Sequence, residues 1–179
     1  MLNEPAQPLA ELAYNTMPDE VATLQQIELS EIPERHPVRQ FAAAHQELCE
    51  GLLLPDENAM FRHVLAKPVF AWSKQIEPIE IDGMVDFKVL RLGDKLAERE
   101  KRAYADQWMS DTLDPEFVDA RYREIIAAAI LRKPMFSKGA TPSRERSFIN
   151  LLRGLFPVFS DNQARLRLFE VAAEPYVAI

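Results

Sequence analysis

Residues 114–134 read Asp-Pro-Glu-Phe-Val-Asp-Ala-Arg-Tyr-Arg-Glu-Ile-Ile-Ala-Ala-Ala-Ile-Leu-Arg-Lys-Pro, which is the strongest helical pattern in the chain. Asp114 is suited to cap a helix, Pro115 to stand at its first position, and Pro134 to end it. Apolar side chains recur between these residues at helical spacing: Val118, Tyr122, Ile125, Ile126, Ala129 and Ile130. The run 125–131 is apolar all round, which is typical of a helix in the middle of a bundle.

The chain around this helix has the composition of a folded domain. Of its 179 residues, 47% are hydrophobic and 27% are charged, as in ordinary globular proteins. Only 5 glycines but 13 prolines favour short segments with stiff connectors, and argue against a glycine-rich nucleotide fold. The single cysteine, Cys49, excludes an internal disulfide framework and predicts a reducing compartment.

Targeting signals and membrane-spanning patterns are not found in the sequence. The N-terminus has no basic region followed by an apolar one, and no apolar run approaches the roughly 18–20 residues that cross a bilayer. We therefore expect a protein without membrane contact, either cytoplasmic or part of a particle assembled in the cytoplasm.

Helical spacing predicts further helices at about residues 37–53, 56–65, 94–109, 141–154 and 160–174. Alternating apolar residues around Asp82-Gly83 predict one β-hairpin, at about residues 76–91. We favour a three-residue loop, which pairs Ile81 with Val85, over a two-residue loop that pairs Ile81 with Met84, because it keeps the apolar residues on one face. The expected fold class is mainly α: a compact helical bundle of six or seven helices with this inserted hairpin.

Prolines and acidic residues set the front of the chain apart. We predict an acidic, Pro-rich N-terminal arm at residues 1–35 and a single helical domain with the hairpin at residues 36–179. The arm's short apolar segments are too short to be stable as isolated helices. Two placements stay open: the arm packs onto its own domain, or it docks onto a neighbouring subunit.

Charge is distributed unevenly along the chain. Residues 1–60 hold two basic residues against eleven acidic ones, whereas residues 132–167 hold eight basic residues against two acidic ones. The back of the chain is thus a candidate basic patch that binds a partner. Its candidate partner-binding residues are Lys133, Lys138, Arg144, Arg146, Arg153 and Phe136. Arginines beside aromatic residues are also found where proteins bind nucleic acid, but the net charge of −7 makes nucleic acid the less favoured partner.

Catalytic motifs are not found in the sequence. It has no phosphate-binding glycine loop, no Gly-x-Ser-x-Gly and no His-Glu-x-x-His. His45 and Cys49 are four residues apart and would share a helix face, as a nucleophile and its base do. Both lie in an apolar stripe, where a free cysteine usually serves packing. We therefore predict no catalytic, cofactor-binding or metal-binding residues, and a protein that is not an enzyme.

One segment resembles small phage tail assembly chaperones. It runs from Lys67-Pro68 through the hairpin strands Ile79 to Val89 and into the charged helix after Gly93. The resemblance covers about a third of the chain, carries no motif of that family, and implies a role in assembly.

Taken with the charge pattern, the sequence predicts a non-enzymatic protein–protein interaction or assembly protein, such as an adaptor, a chaperone or a bacterial or phage particle component. Its surfaces would be the acidic arm, the hairpin edge and the basic patch, and its partner another protein or a second copy in a homo-oligomer. The alternative is a small regulatory protein that uses residues 132–167 to bind nucleic acid or a protein that handles nucleic acid.

Overall fold

The computed structural model describes residues 24–51, 53–100, 104–141, 149–160 and 165–179. The strands are β1 (Gln25–Ile27), β2 (Ser73–Ile81), β3 (Met84–Leu92), β4 (Met135–Ala140), β5 (Asn150–Ser160) and β6 (Arg165–Ala173). The helices are α1 (Pro37–Leu48), α2 (Glu57–Val64), α3 (Asp94–Glu100), α4 (Met109–Thr112) and α5 (Pro115–Leu131). All six strands form one antiparallel sheet in the order β1-β4-β5-β6-β2-β3.

Helices cover both faces of this sheet. On one face lie α1 and α2, and Phe41 of α1 contacts Phe156 of β5 with ring centroids 4.8 Å apart. On the other face lies α5, whose Ile125 packs in one cluster with Leu155 of β5. Because Leu155 and Phe156 are neighbours on one strand, they point to opposite faces, and β5 is buried on both sides.

The predicted helical bundle is wrong, because the protein has a mixed α/β fold built on a six-stranded sheet. Residues 150–160 and 165–173 were expected to be helical and are strands β5 and β6. A strand buried on both faces has an almost continuous apolar sequence, which periodicity cannot distinguish from a buried helix. Of the helix predicted at 141–154, residues 142–148 lie outside the described residues, as do residues 161–164 of the last one.

Gly154 lies inside β5, whereas the sequence predicted that a helix ends there. A Cβ atom at this residue would come within 2.6 Å of the Phe156 ring and 2.8 Å of the Val38 side chain. Glycine therefore allows α1 to pack closely on the middle of the sheet.

The helix predicted at 94–109 is correct only in its first part. Helix α3 ends at Glu100, and residues 101–103 lie outside the described residues. The chain then runs along the outer edge of β3, where Val89 N–H donates to the Gln107 carbonyl at 3.0 Å and Asp106 N–H to the Val89 carbonyl at 2.7 Å. These bonds satisfy part of an edge that would otherwise be open to another strand.

The hairpin is where the sequence predicted it, as strands β2 and β3, but the favoured register is wrong. Ile81 pairs with Met84 across the two-residue loop Asp82-Gly83. Both loop residues have positive φ, 52° and 79°, as a type I′ turn requires. The apolar residues near the tip are not buried, so no core favours the other register.

Helix α5 is confirmed as a helix but not as the middle of a bundle. Asp114 stands at its N-cap position, and Arg132 ends it in the left-handed conformation. Ile125 is fully buried against the sheet, whereas Ile130 is 45% exposed. The helix therefore packs on the sheet with one side only.

The two helices predicted near residues 37–53 and 56–65 are confirmed as α1 and α2. Their N-caps have specific partners: Val38 N–H donates to His36 Nδ1, and Ala59 N–H donates to Asp56 Oδ1 at 2.9 Å. Each bond satisfies a donor that a helix start leaves open.

The predicted N-terminal arm is described only from residue 24. Within it, β1 pairs with β4, with Gln25 opposite Lys138 and Ile27 opposite Phe136, so this part joins the domain's own sheet. Residues 1–23 lie outside the described residues, and the division of the chain at residue 35 stays a prediction.

Candidate functional site

A row of polar side chains crosses the sheet on the face that α5 covers, and we call it the polar belt. Its strand members are Ser137 of β4, Arg153 of β5, Glu170 of β6 and Lys74 of β2, all buried. The sheet register sets them side by side, because Ser137 is opposite Arg153 and Lys74 is opposite Glu170.

Helix α5 completes the polar belt with Arg121 and Glu124, which are one turn apart. Arg121 Nη2 donates to Glu170 Oε2 at 2.7 Å, and its Nη1 donates to Glu124. Glu170 Oε2 also lies 3.1 Å from Lys74 Nζ, and Glu124 accepts a hydrogen bond from the Ser137 hydroxyl. Lys74 and Arg121 therefore share Glu170 in the interior, and the charge of Arg153 lies near both carboxylates.

These contacts shift the ionisation of the belt's buried groups. Burial disfavours the charged form of Glu170, but the charges of Arg121, Lys74 and Arg153 outweigh it and lower the pKa of Glu170 to about 2. Burial and the nearby charge of Arg121 lower the pKa of Arg153 to about 10. Both residues remain charged at neutral pH, so neither is tuned to exchange a proton there.

Arg153 is the member of the belt whose hydrogen bonding is incomplete. Its Nη2 donates to the Ala140 carbonyl oxygen. Its Nη1 is buried and has no hydrogen-bond partner among the described residues. A buried donor left without an acceptor costs about 1–3 kcal/mol.

A second feature is an open groove where β2 and β6 separate. The two strands pair only from Ser73 to Ile76, so the rest of β2 runs past the sheet with β3 as its partner. The resulting groove holds about 430 Å³. Its lining combines apolar and charged residues: Glu77, Pro78, Ile79, Glu80, Arg165 and Leu166.

The hairpin tip beside this groove exposes apolar side chains. Met84 is 72% exposed and Ile81 is 45% exposed. The exposed carboxylates of Glu80 and Asp82 flank them in the chain. We refer to residues 77–86 together with Arg165 and Leu166 as the hairpin groove; it joins an apolar surface to an acidic rim.

The base of the hairpin is fixed to the domain by Asp86. Tyr122 of α5 donates its hydroxyl to Asp86, and the Ser110 hydroxyl of α4 donates to Asp86 Oδ2 at 2.6 Å. Burial opposes ionisation of Asp86, but these hydrogen bonds outweigh it and lower the pKa of Asp86. The tip therefore projects from a base that the helices hold in place.

Pro78 decides how the groove can bind a partner. Ile81 and Met84 close the turn as a hydrogen-bonded pair, so the backbone groups of Pro78 and Glu80 point away from β3 and towards the groove. Proline has no N–H, and a strand added here would find few donors. The groove is therefore suited to side chains of a partner, not to an added strand.

The residues of the predicted basic patch do not form one surface. Arg153 is buried in the polar belt, and Phe136 packs against Phe156 in the core under α1, with ring centroids 5.9 Å apart. Lys133 and Lys138 are exposed. Arg144 and Arg146 lie outside the described residues. The partner-binding role of this set, and the nucleic-acid alternative that rests on it, stay predictions.

His45 and Cys49 do lie together, as their spacing predicted. His45 Nε2 is 2.8 Å from the Pro157 carbonyl oxygen and His45 Nδ1 is 3.7 Å from Cys49 Sγ. Burial lowers the pKa of His45 and raises the pKa of Cys49, so both are uncharged at neutral pH. A thiol in that state is a poor nucleophile, and the pair is suited to packing and hydrogen bonding.

Of the polar belt, only Arg153 was singled out from the sequence, as a surface residue that binds a partner. One signal was present: Glu170 is an acidic residue within an otherwise apolar segment of β6. Charged residues are almost never fully buried unless they are paired, so such a residue indicates a hidden partner. Because the partners lie on β2 and α5, far away in the chain, the sequence does not name them.

Comparison with known proteins adds no relative. No protein-family model matches the sequence, and no curated protein matches it. The resemblance to phage tail assembly chaperones stays a prediction.

Two further observations concern the described ranges only. They contain no group of three or more His, Cys, Asp or Glu side chains placed to hold a metal ion. None of the helices within them is both long and apolar enough to cross a membrane.

Proposed function

We propose that the protein is a non-enzymatic interaction domain that binds a segment of another protein in the hairpin groove. The observation that carries this proposal is the hairpin itself, which runs past its last pairing with β6 and leaves Ile81 and Met84 exposed beside a groove. Exposed apolar residues beside a groove are typical of a surface that a partner covers.

The charges around the groove favour a partner segment that carries basic residues. Glu80 and Asp82 give the rim exposed negative charge. The charge of Glu77 is offset by the nearby Arg165, which lies 3.7 Å from it. A segment with a bulky apolar side chain flanked by lysine or arginine would place its apolar group on Ile79 and Met84 and its charges on the rim.

Selection from a random displayed peptide library against the full chain tests the proposal. We expect enriched peptides to share an apolar residue with basic neighbours. The substitution Met84→Ser should weaken their binding about tenfold or more, which corresponds to about 1.4 kcal/mol. The matched control Leu65→Ser removes another exposed apolar side chain, away from the groove, and should leave binding unchanged.

Charge reversal provides the second arm of the same experiment. Glu80→Lys should weaken the binding of the basic peptides and make that binding less sensitive to salt. Failure to enrich any such peptide, or equal binding by wild type and Met84→Ser, would overturn the proposed function.

A further inference from the structure

Arg153 leaves one hydrogen-bonding position of the polar belt unfilled. The residue is 1% exposed, its Nη2 is engaged by Ala140, and its Nη1 has no acceptor within the described part of the chain. An acceptor at Nη1 would therefore remove a large penalty.

The charges of the polar belt show what kind of acceptor is required. Lys74, Arg121 and Arg153 supply three positive charges, whereas Glu124 and Glu170 supply two negative ones. Both carboxylates already accept bonds from other members of the belt: Glu170 from Lys74 and Arg121, and Glu124 from Arg121 and Ser137. The belt thus has one positive charge in excess.

Among the residues that the structure describes, the adjacent ionic groups do not change this balance. Arg99 and Glu100 of α3 lie beside the belt and pair with each other, with Arg99 Nη2 3.1 Å from Glu100 Oε1. The pair is neutral as a whole. Burying an uncompensated charge is unfavourable, so a group that carries a single negative charge suits the belt better than a dianion.

We propose that the polar belt binds one compact monoanion, a halide ion or the carboxylate of a small ligand, at Nη1 of Arg153. The anion accepts the hydrogen bond that Nη1 otherwise lacks and cancels the excess charge between α5 and the sheet. This inference is independent of the hairpin groove, which lies at the end of the β2–β3 hairpin and shares no residue with the belt.

Thermal unfolding at neutral pH in increasing sodium bromide, and separately in sodium acetate, tests the inference. Sodium sulfate keeps the ionic strength constant. A ligand that binds only the folded state raises Tm with its concentration, by about 3–5 °C for each tenfold increase above the dissociation constant. We expect this rise for wild type with at least one of the two anions.

Two variants separate the site from general salt effects. Arg153→Met should lose the rise, whereas Arg35→Met, which removes an exposed arginine, should keep it. An equal rise in wild type and Arg153→Met, or no rise in wild type with either anion, would overturn the inference.

Crystals of the wild-type protein grown with bromide or acetate decide the matter even if Arg153→Met fails to fold. We expect the anomalous signal of bromide, or the density of acetate, in contact with Nη1 of Arg153. A water molecule or a carboxylate of the chain itself at that position would show that no free anion is needed, and the inference would be wrong.

Discussion

Glu170 is the residue on which the polar belt depends most. Lys74 and Arg121 both form ion pairs with one of its carboxylate oxygens, and the side chain is buried. Moving three charges out of water is costly, and only their mutual attraction offsets that cost. Loss of the carboxylate would leave two cations in the interior without their shared partner.

Substitution of Glu170 by glutamine should therefore destabilise the protein strongly. We expect the free energy of unfolding to fall by about 3–5 kcal/mol, the range for breaking a buried ion pair from one side. Urea unfolding at neutral pH measures the change. The control is Glu98→Gln, which breaks the exposed pair with Lys95 and should leave the unfolding curve unchanged.

The stability difference between wild type and Glu170→Gln should depend on pH in a definite direction. The pKa of Glu170 is lowered to about 2 in the folded protein, below its ordinary value of 4.5. Its contribution is therefore complete above about pH 4.5 and is lost as the pH falls towards 2. The stability difference between wild type and Glu170→Gln should shrink over that interval; a difference independent of pH would contradict the assignment.

The sequence drew attention to some of these residues but did not predict whether they are buried. It singled out Arg153 as a surface cation, and the structure buries it, because the strand that carries it is covered on both faces. Arg121 and Glu124 are spaced as an exposed ion pair on a helix would be, yet they face the sheet. Which face of α5 is buried follows from packing against β5 and β6, and those strands were not recognised.

Helix α5 acts as the cover of one sheet face. The pattern at residues 114–134 located it and its ends, but the apolar run 125–131 predicted burial on all sides. The structure buries Ile125 and leaves Ile130 and Leu131 about half exposed. An apolar residue on a protein surface is common, so an all-apolar turn does not by itself require a bundle.

Two alanine substitutions in α5 test this one-sided burial. Ile125→Ala should lower the free energy of unfolding by about 2–5 kcal/mol, because it opens a cavity against Leu155 and its neighbours. Ile130→Ala should cost less than about 1 kcal/mol, since much of that side chain is already in water. Chemical unfolding of both variants gives the comparison, and equal losses would mean that both sides of the helix are covered.

The β-elements show where sequence patterns succeed and fail. The hairpin was found because Asp82-Gly83 is a strong turn signal between alternating residues. Strands β5 and β6 were missed because burial on both faces removes the alternation. The register of the hairpin was missed because the turn geometry, and not the apolar pattern, determines pairing at an exposed tip.

For the whole molecule, the structure places its unusual features in two separate regions. The polar belt lies inside, between α5 and the sheet, and the hairpin groove lies at the free end of β2 and β3. The docking surface that we propose is thus separate from the buried ionic groups.

Exposed acidic and exposed basic residues lie in different parts of the sheet. The exposed acidic residues Glu80 and Asp82 belong to the hairpin groove, although they lie in the middle of the chain. Of the exposed lysines, Lys133 precedes β4 and Lys138 lies within it, towards the other end of the sheet order from β3. A homo-oligomer that joins acidic to basic residues would thus need contacts between these two sides, and it stays a prediction.

The most direct test of the account is a nuclear magnetic resonance titration of the isotope-labelled full chain with a peptide selected from the library. Binding in the hairpin groove predicts that the largest backbone shift changes fall in residues 77–86 and at Arg165 and Leu166. The signals of Lys133 and Lys138 should not move. Shift changes centred on those two lysines, or none at the hairpin under saturating peptide, would contradict the proposal that the groove is the docking surface.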